Sequence, residues 1–399
     1  MTDEEGSTGA FGLADRMSRL GTESAFEVLA RARTLEAEGR KIIHLEIGEP
    51  DFGTPQHIKD AATEALAAGQ THYVPAPGIP ALREAIVDFL QGWDRLSVSP
   101  DRVVVTPGAK PIMWYSMIAL CQKGDEVIYP DPGFPMYESI ASFVGATPVP
   151  IPLREANGFR MDPEELEGLV SDRTKLLILS SPHNPCGSAL SKEDCEAVAR
   201  IAIERDLVVL SDEVYWAIRY GGGHVSVLDV EGMPQRTILL DGWSKTFAMT
   251  GWRLGFGVFP QPLVEPITRL VINSVSCTSA FSQQAAIAAL TGPWRETEQM
   301  VEEFRARRDA IVQGLNAIPG ISCQEPEGAF YVFPSVKELG VPSKRVEEHV
   351  LQQAGVAALS GTAFGRYGEG YLRFSYANSI QNIRDALEAI EASLPELTP

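Results

Sequence analysis

Cysteine is scarce in this chain: five residues among 399, with no C-x-x-C pair. An odd, scattered set (Cys121, Cys186, Cys195, Cys277, Cys323) argues against a disulfide framework and against a zinc site, and points to a reducing, cytoplasmic setting. Histidine is little commoner, with six residues and no H-E-x-x-H, so no metal-ligand set is expected. No apolar run reaches the roughly 18 residues that a membrane-spanning helix needs. The N-terminal stretch M-T-D-E-E-G-S lacks the basic-then-apolar order of a secretory signal, and residues 1–15 read as a flexible acidic tail. Positive charge is also in short supply. With 34 basic against 53 acidic residues the net charge is −19, a field that repels polyanions and disfavours nucleic acid as a partner.

What is present is ordinary for a globular protein: 44% apolar and 22% charged residues. The length exceeds what one small core supports. From about 100 to 260, β-branched runs at 102–106, 126–129, 175–180, 207–211 and 237–241 alternate with helix-length segments. One of these, 192–205, follows Ser191 as a cap. Such alternation predicts an α/β fold with a mostly parallel sheet covered on both faces and a ligand at the carboxyl ends of its strands. The C-terminal part differs. A long charged helix is expected at 294–315, short strands near 329–333 and 371–376, and a closing helix at 379–393, which together read as a smaller α+β lobe. The helix at 25–38 is expected to pack with that lobe.

The strand ends carry a consistent set of groups. T-P-G-A-K-P (106–111) places Gly108 and Ala109 at a helix start, where free N–H groups and the positive dipole end suit a phosphate; most such starts bind nothing. Asn184, fenced by prolines in S-P-H-N-P-C-G, is either turn punctuation or a fixed amide for a ligand. Asp212, at a strand tip in D-E-V-Y, either caps a helix or faces the site, with Tyr215 one turn on. Lys245 lies in G-W-S-K-T-F-A-M-T-G-W-R-L-G-F (242–256) among aromatic and small neighbours. An unpaired ammonium there is costly, so its pKa should fall, as Schiff-base chemistry requires. Arg253 follows as a fixed cation. A phosphate cradle, an aspartate, a phenol with an amide and a low-pKa lysine are together the contacts that pyridoxal phosphate requires.

On S-K-T-F-A-M-T-G-W-R-L-G (244–255), G-E-P-D-F (48–52) and R-F-S-Y-A (373–377), the chain resembles the fold-type-I, class I/II aminotransferases, and more closely their aspartate-aminotransferase-like subgroup, over about 20–394. The resemblance implies a large domain at 54–285 with a seven-stranded-type sheet, a small domain at 16–53 plus 286–399, and a pyridoxal 5′-phosphate enzyme acting in amino-acid metabolism. It further implies that Lys245 bears the cofactor covalently and serves as base at the substrate Cα. Asp212 would face the ring nitrogen, Asn184 and Tyr215 the ring hydroxyl, and Phe134 the ring face. Ser244, Arg253 and the N–H groups of Gly108, Ala109 and Lys110 would hold the phosphate. Tyr73 would reach the phosphate of a neighbouring subunit, so a homodimer with shared sites is implied. Arg373 and the backbone of Gly48 would take the substrate α-carboxylate, with Phe134 and Asn184 bordering the substrate. Lys110 would read the distal carboxylate of an aspartate- or glutamate-type substrate.

One departure is Gly242, where relatives commonly carry a serine that also binds the phosphate. Restoring that hydroxyl as Gly242→Ser is expected to tighten cofactor binding by about one order of magnitude. A carbon–sulfur β-lyase, or an aminotransferase of neutral or aromatic amino acids, would use the same first groups and stays open. A regulator built on the same domain with a DNA-binding module is disfavoured by the acidic charge.

Overall fold

In the computed structural model, which describes residues 12–93 and 96–397, the β-branched runs build one seven-stranded sheet. Its strands are β1 (Val103–Thr106), β2 (Glu126–Asp131), β3 (Thr147–Pro152), β4 (Thr174–Ser180), β5 (Val208–Asp212), β6 (Thr237–Gly242) and β7 (Gly255–Val258). Their order across the sheet is β1-β7-β6-β5-β4-β2-β3. All pairings are parallel except those of β7, which runs antiparallel to both neighbours. Side chains alternate between two cores. Leu177, Leu179 and Val209 face Val198 and Ile201 on one side, while Leu176, Ile178, Leu210 and Leu240 face Ile112 and Ile140 on the other. Burial on both faces is why these strands read as continuous apolar runs. The helix expected after Ser191 spans Lys192–Glu204, closed by a reciprocal capping box between Ser191 and Asp194.

Two strands of this sheet carry little propensity. β3 reads T-P-V-P-I-P and survives because it is an edge strand, bonded only to β2. β7 reads G-F-G-V, and its first glycine is there for space. A Cβ on Gly255 would sit 2.5 Å from both Ala109 N and Gly108 C, so a side chain would push the β1 turn off the sheet.

The C-terminal region forms its own small antiparallel sheet, with Leu372–Ser375 between Leu359–Ser360 and Tyr331–Val332. Behind it, helix Arg295–Ala317 packs Phe304, Ile311 and Leu315 against Ile383 and Ile390 of helix Ile380–Ser393. Helix α1 (Ser24–Ala37) joins the C-terminal elements as expected: Val28, Ala32 and Leu35 meet Leu351, Ala357 and Leu359, and Arg31 lies 3.5 Å from Glu347. Residues 1–11 of the acidic tail lie outside the described residues. Its end is anchored, because Asp15–Arg19 forms a 3-10 turn from which Arg19 Nε donates to Ser142 O at 2.9 Å. No helix among the described residues is long and apolar enough to cross a membrane.

Candidate active site

The carboxyl ends of β1, β2, β4, β5 and β6 converge on a cavity of about 310 Å³, within the range of small-ligand sites of about 300–1,000 Å³. β7 contributes from its start, because a reversed strand begins at the edge where its neighbours end. Arg253, two residues before it, therefore reaches the same cavity from a left-handed backbone (φ 53°), a conformation that non-glycine residues adopt mainly where something demands it.

At the cavity floor Lys245 follows β6 and is half-buried. Its Nζ donates to Gly48 O at 2.6 Å and lies 5.9 and 5.8 Å from the ring centres of Tyr215 and Phe330. Burial, abetted by the Arg373 and Lys110 cations, pulls its pKa down to about 8, against an opposing pull from Glu49. An amine in that state is neutral in a useful fraction near pH 7 and able to attack a carbonyl carbon.

Asp212 ends β5. Residues 214–217 form a turn and no helix follows, so the helix-cap reading falls away and the carboxylate faces the cavity. Tyr137 OH donates to its Oδ2 at 2.7 Å. Burial nevertheless pushes its pKa up to about 6, with the Tyr137 bond pulling the other way. A buried carboxylate held by one phenol and one long bond from Val214 N at 3.4 Å is under-compensated, and a cationic nitrogen beside it is the group that suits it.

At the opposite end Arg373, from the small sheet, is fully buried. It donates to Asn184 Oδ1 at 3.2 Å and to Glu46 O, and stands 4.5 and 4.8 Å from the Tyr331 and Phe364 rings. Its Nε has no hydrogen-bond partner among the described residues, and burial lowers its pKa. A guanidinium so placed has donors free for a carboxylate. Tyr215 OH lies 2.7 Å from Tyr331 OH, and Gly48 has no side chain because a Cβ there would collide with that Tyr331 hydroxyl.

Ala109, Lys110, Phe134 and Ser244 line the remaining walls. Gly108 is not in the wall itself. Its backbone (φ 90°) lies under the Arg253 guanidinium, which occupies the space a Cβ would need. Tyr73 lies outside the cavity of its own chain and is 88% exposed. At Gly242, whose backbone is extended (φ 179°), a Cβ would sit 3.0 Å from Leu254 O and 3.2 Å from Gly255 Cα, so these neighbours must give by a few tenths of an ångström before a Gly242→Ser hydroxyl can bond the phosphate.

Three residues at the site were not singled out from sequence. Tyr137 lay in view, in P-D-P-G-F-P-M-Y, but reads there as core. Tyr331 is a strand residue with no local mark. Glu23 contacts Lys110 Nζ across 87 positions, and no local signal announces it.

The aminotransferase class I and II family profile matches residues 40–390. The chain is 40% identical to an aspartate aminotransferase of Pyrococcus horikoshii over 384 residues, 96% of this chain and 97% of that one. It is 38% identical to aromatic-amino-acid aminotransferase 2 of Thermococcus litoralis over 388 residues, 96% and 98% of the two chains. Among solved structures it is similar to the aspartate aminotransferase of Thermus thermophilus with maleate, at TM-score 0.92 and 36% identity, over 96% of this chain and all of that one.

Proposed function

This chain belongs to the class I and II aminotransferases, and from that premise we propose that it binds pyridoxal 5′-phosphate and holds it with the residues just described. It is a transaminase, moving amino groups between amino acids and 2-oxo acids. The observation that carries the cofactor reading is the half-buried, pKa-lowered Lys245 in one cavity with the Asp212 carboxylate and the Arg373 guanidinium. When bound, the cofactor supplies an electron-accepting ring that makes the substrate Cα–H bond breakable.

Around it the protein's own groups divide the work. Lys245 bonds the cofactor between turnovers and moves the proton at the substrate Cα. Asp212 compensates a protonated ring nitrogen, and Tyr137 holds that carboxylate in place. Asn184 and Tyr215 orient the ring oxygen and Phe134 covers the ring face. Ser244, Arg253 and the N–H groups at 108–110 bind the phosphate where the helix start is positive. Arg373 clamps the α-carboxylate, with the Gly48 backbone beside it. Lys110 reads a distal carboxylate, which favours aspartate- or glutamate-type substrates. We keep the division into a large domain (54–285) and a small one (16–53 plus 286–399), and a cytoplasmic setting, with which five unpaired cysteines agree. A panel of amino acids tested with 2-oxoglutarate, pyruvate, oxaloacetate and glyoxylate checks the activity. Stoichiometric exchange of amino and oxo groups is expected, and pyruvate released from a thioether amino acid without an acceptor would point to a β-lyase instead.

The exposed Tyr73 fits a homodimer in which each subunit completes the other's phosphate site. Tyr73→Ala should lose a hydrogen bond to a charged group, about 1.5–3 kcal/mol. Mixed with Lys245→Ala and allowed to exchange, it should recover roughly a quarter of wild-type activity, since half the dimers are hybrid and each carries one intact site. Proven exchange with no recovery would remove the shared-site reading.

A further inference from the structure

The end of the cavity that faces a substrate side chain holds an ion pair. Lys110 Nζ contacts the carboxylate of Glu23; the lysine side chain is 46% exposed and the glutamate 19%. Glu23 stands at the N-cap position of α1, yet its side chain caps no N–H of that helix and reaches into the cavity instead. The segment that carries it is tied down on the far side of the mouth. Gly21 N donates to Ser139 Oγ at 2.9 Å, and Arg19 Nε to Ser142 O, both on helix Met136–Val144. The walls beside the pair are apolar: Phe26 and Met113 line the cavity, and Lys110 Nζ lies 5.4 Å from the Phe134 ring centre.

We propose that Glu23 is a specificity-determining residue that lets one pocket serve two unlike substrates: it occupies Lys110 while a neutral side chain is bound, and yields Lys110 to the distal carboxylate of a dicarboxylic one. This rests on the reading that Lys110 faces the substrate side chain. Transamination passes two different amino acids through the same cavity in turn, so the side-chain end must accept both. Without Glu23, the half-exposed Lys110 ammonium would stand unpaired beside Phe26, Met113 and Phe134 in one half-reaction, a cationic neighbour for a neutral substrate side chain. A glutamate fixed on that lysine would put two carboxylates on one cation in the other. Glu23 can avoid both states because its side chain keeps about a fifth of its surface exposed, so a carboxylate displaced from Lys110 has water to turn to. The pair thus presents a neutral, apolar-walled site when closed and a cationic one when open.

The test uses the holoenzyme and two substrate classes. In Glu23→Gln, kcat/KM for aspartate should rise about three- to tenfold, because no internal carboxylate has to be displaced, and kcat/KM for phenylalanine should fall by a similar factor. Binding of maleate, an inert dicarboxylate, should tighten by the same factor in calorimetry, a readout independent of turnover. Opposite signs for the two classes are the signature, since a merely structural role would lower both. Parallel losses, or no change in the ratio and in maleate affinity, overturn the proposal. Lys110→Gln separates this from the reading beneath it. If that variant loses aspartate preference while Glu23→Gln changes nothing, only the role of Glu23 fails. If Lys110→Gln leaves the aspartate-to-phenylalanine ratio where it was, Lys110 is not the reader and both fall, while exchange of amino groups in the substrate panel still stands.

Discussion

Replacing Lys245 by alanine is expected to end transamination, with a loss of at least 10²–10⁴-fold from the missing base alone. The full loss is larger, since the covalent anchor goes with it. No other amine among the described residues of the cavity is placed to substitute: the other lysine, Lys110, is paired with Glu23, whereas the Lys245 amine has its pKa lowered to about 8. Two measurements separate chemistry from folding. Borohydride reduction followed by peptide mass analysis should add the cofactor's mass to the Lys245 peptide in the wild type and to none in the variant. Steady-state exchange between glutamate and a 2-oxo acid should fall to background. Near-normal exchange by Lys245→Ala would falsify the assignment.

The second large effect belongs to Asp212. Asparagine has the same shape and can still accept from Tyr137, but it carries no charge to set against a cationic ring nitrogen. Removing one member of a buried charge pair typically costs about 3–5 kcal/mol, which in a rate is roughly two to four orders of magnitude. The cofactor-free protein should respond in the opposite sense. Burial raises the Asp212 pKa to about 6, so the folded state binds a proton more readily than the unfolded chain does. The penalty on folding therefore builds as the pH rises from the ordinary carboxyl value of 3.8 to about 6, and is fully present above that. At pH 7 the cofactor-free Asp212→Asn protein should unfold at the same temperature as wild type or higher, while its holoenzyme turns over far more slowly. A variant that keeps wild-type turnover would show that Asp212 does not compensate the ring.

How much of this was legible in the sequence depends on the range of the interaction. The five β-branched strands and the helix after Ser191 were readable because their cause is local: burial on both faces, and a capping pair three residues apart. β3 and β7 were not, because proline and glycine erase propensity. One is tolerated only by being at an edge, the other required only by the approach of Gly108 and Ala109. The site residues at strand tips were readable once the parallel sheet was, since such sheets deliver their ligands there. A hydroxyl at position 242 meets a tight contact, 3.0 Å from Cβ to Leu254 O, that no motif encodes. Lys110 opens a helix, whose positive dipole end calls for an anion beside a lysine; the provider, Glu23, comes from a distant segment and carries no mark of its own.

The reversed direction of β7 has a mechanical consequence. Lys245 and Arg253 sit on one short connection between two hydrogen-bonded strands of the large sheet, and Asp212 and the 106–110 turn belong to the same sheet edge. Arg373 comes from the other sheet. A tilt of the small sheet against the large one would therefore change the distance between Arg373 and Lys245, and would be felt across the cavity through three contacts: Arg373 with Asn184, Tyr331 with Tyr215 and Gly48 with Lys245. On the proposed roles, the substrate clamp and the phosphate site stand on different sheets, so Arg253 and the 106–110 turn, fixed by the pairing of β7 with β1 and β6, would keep their register while the clamp shifts.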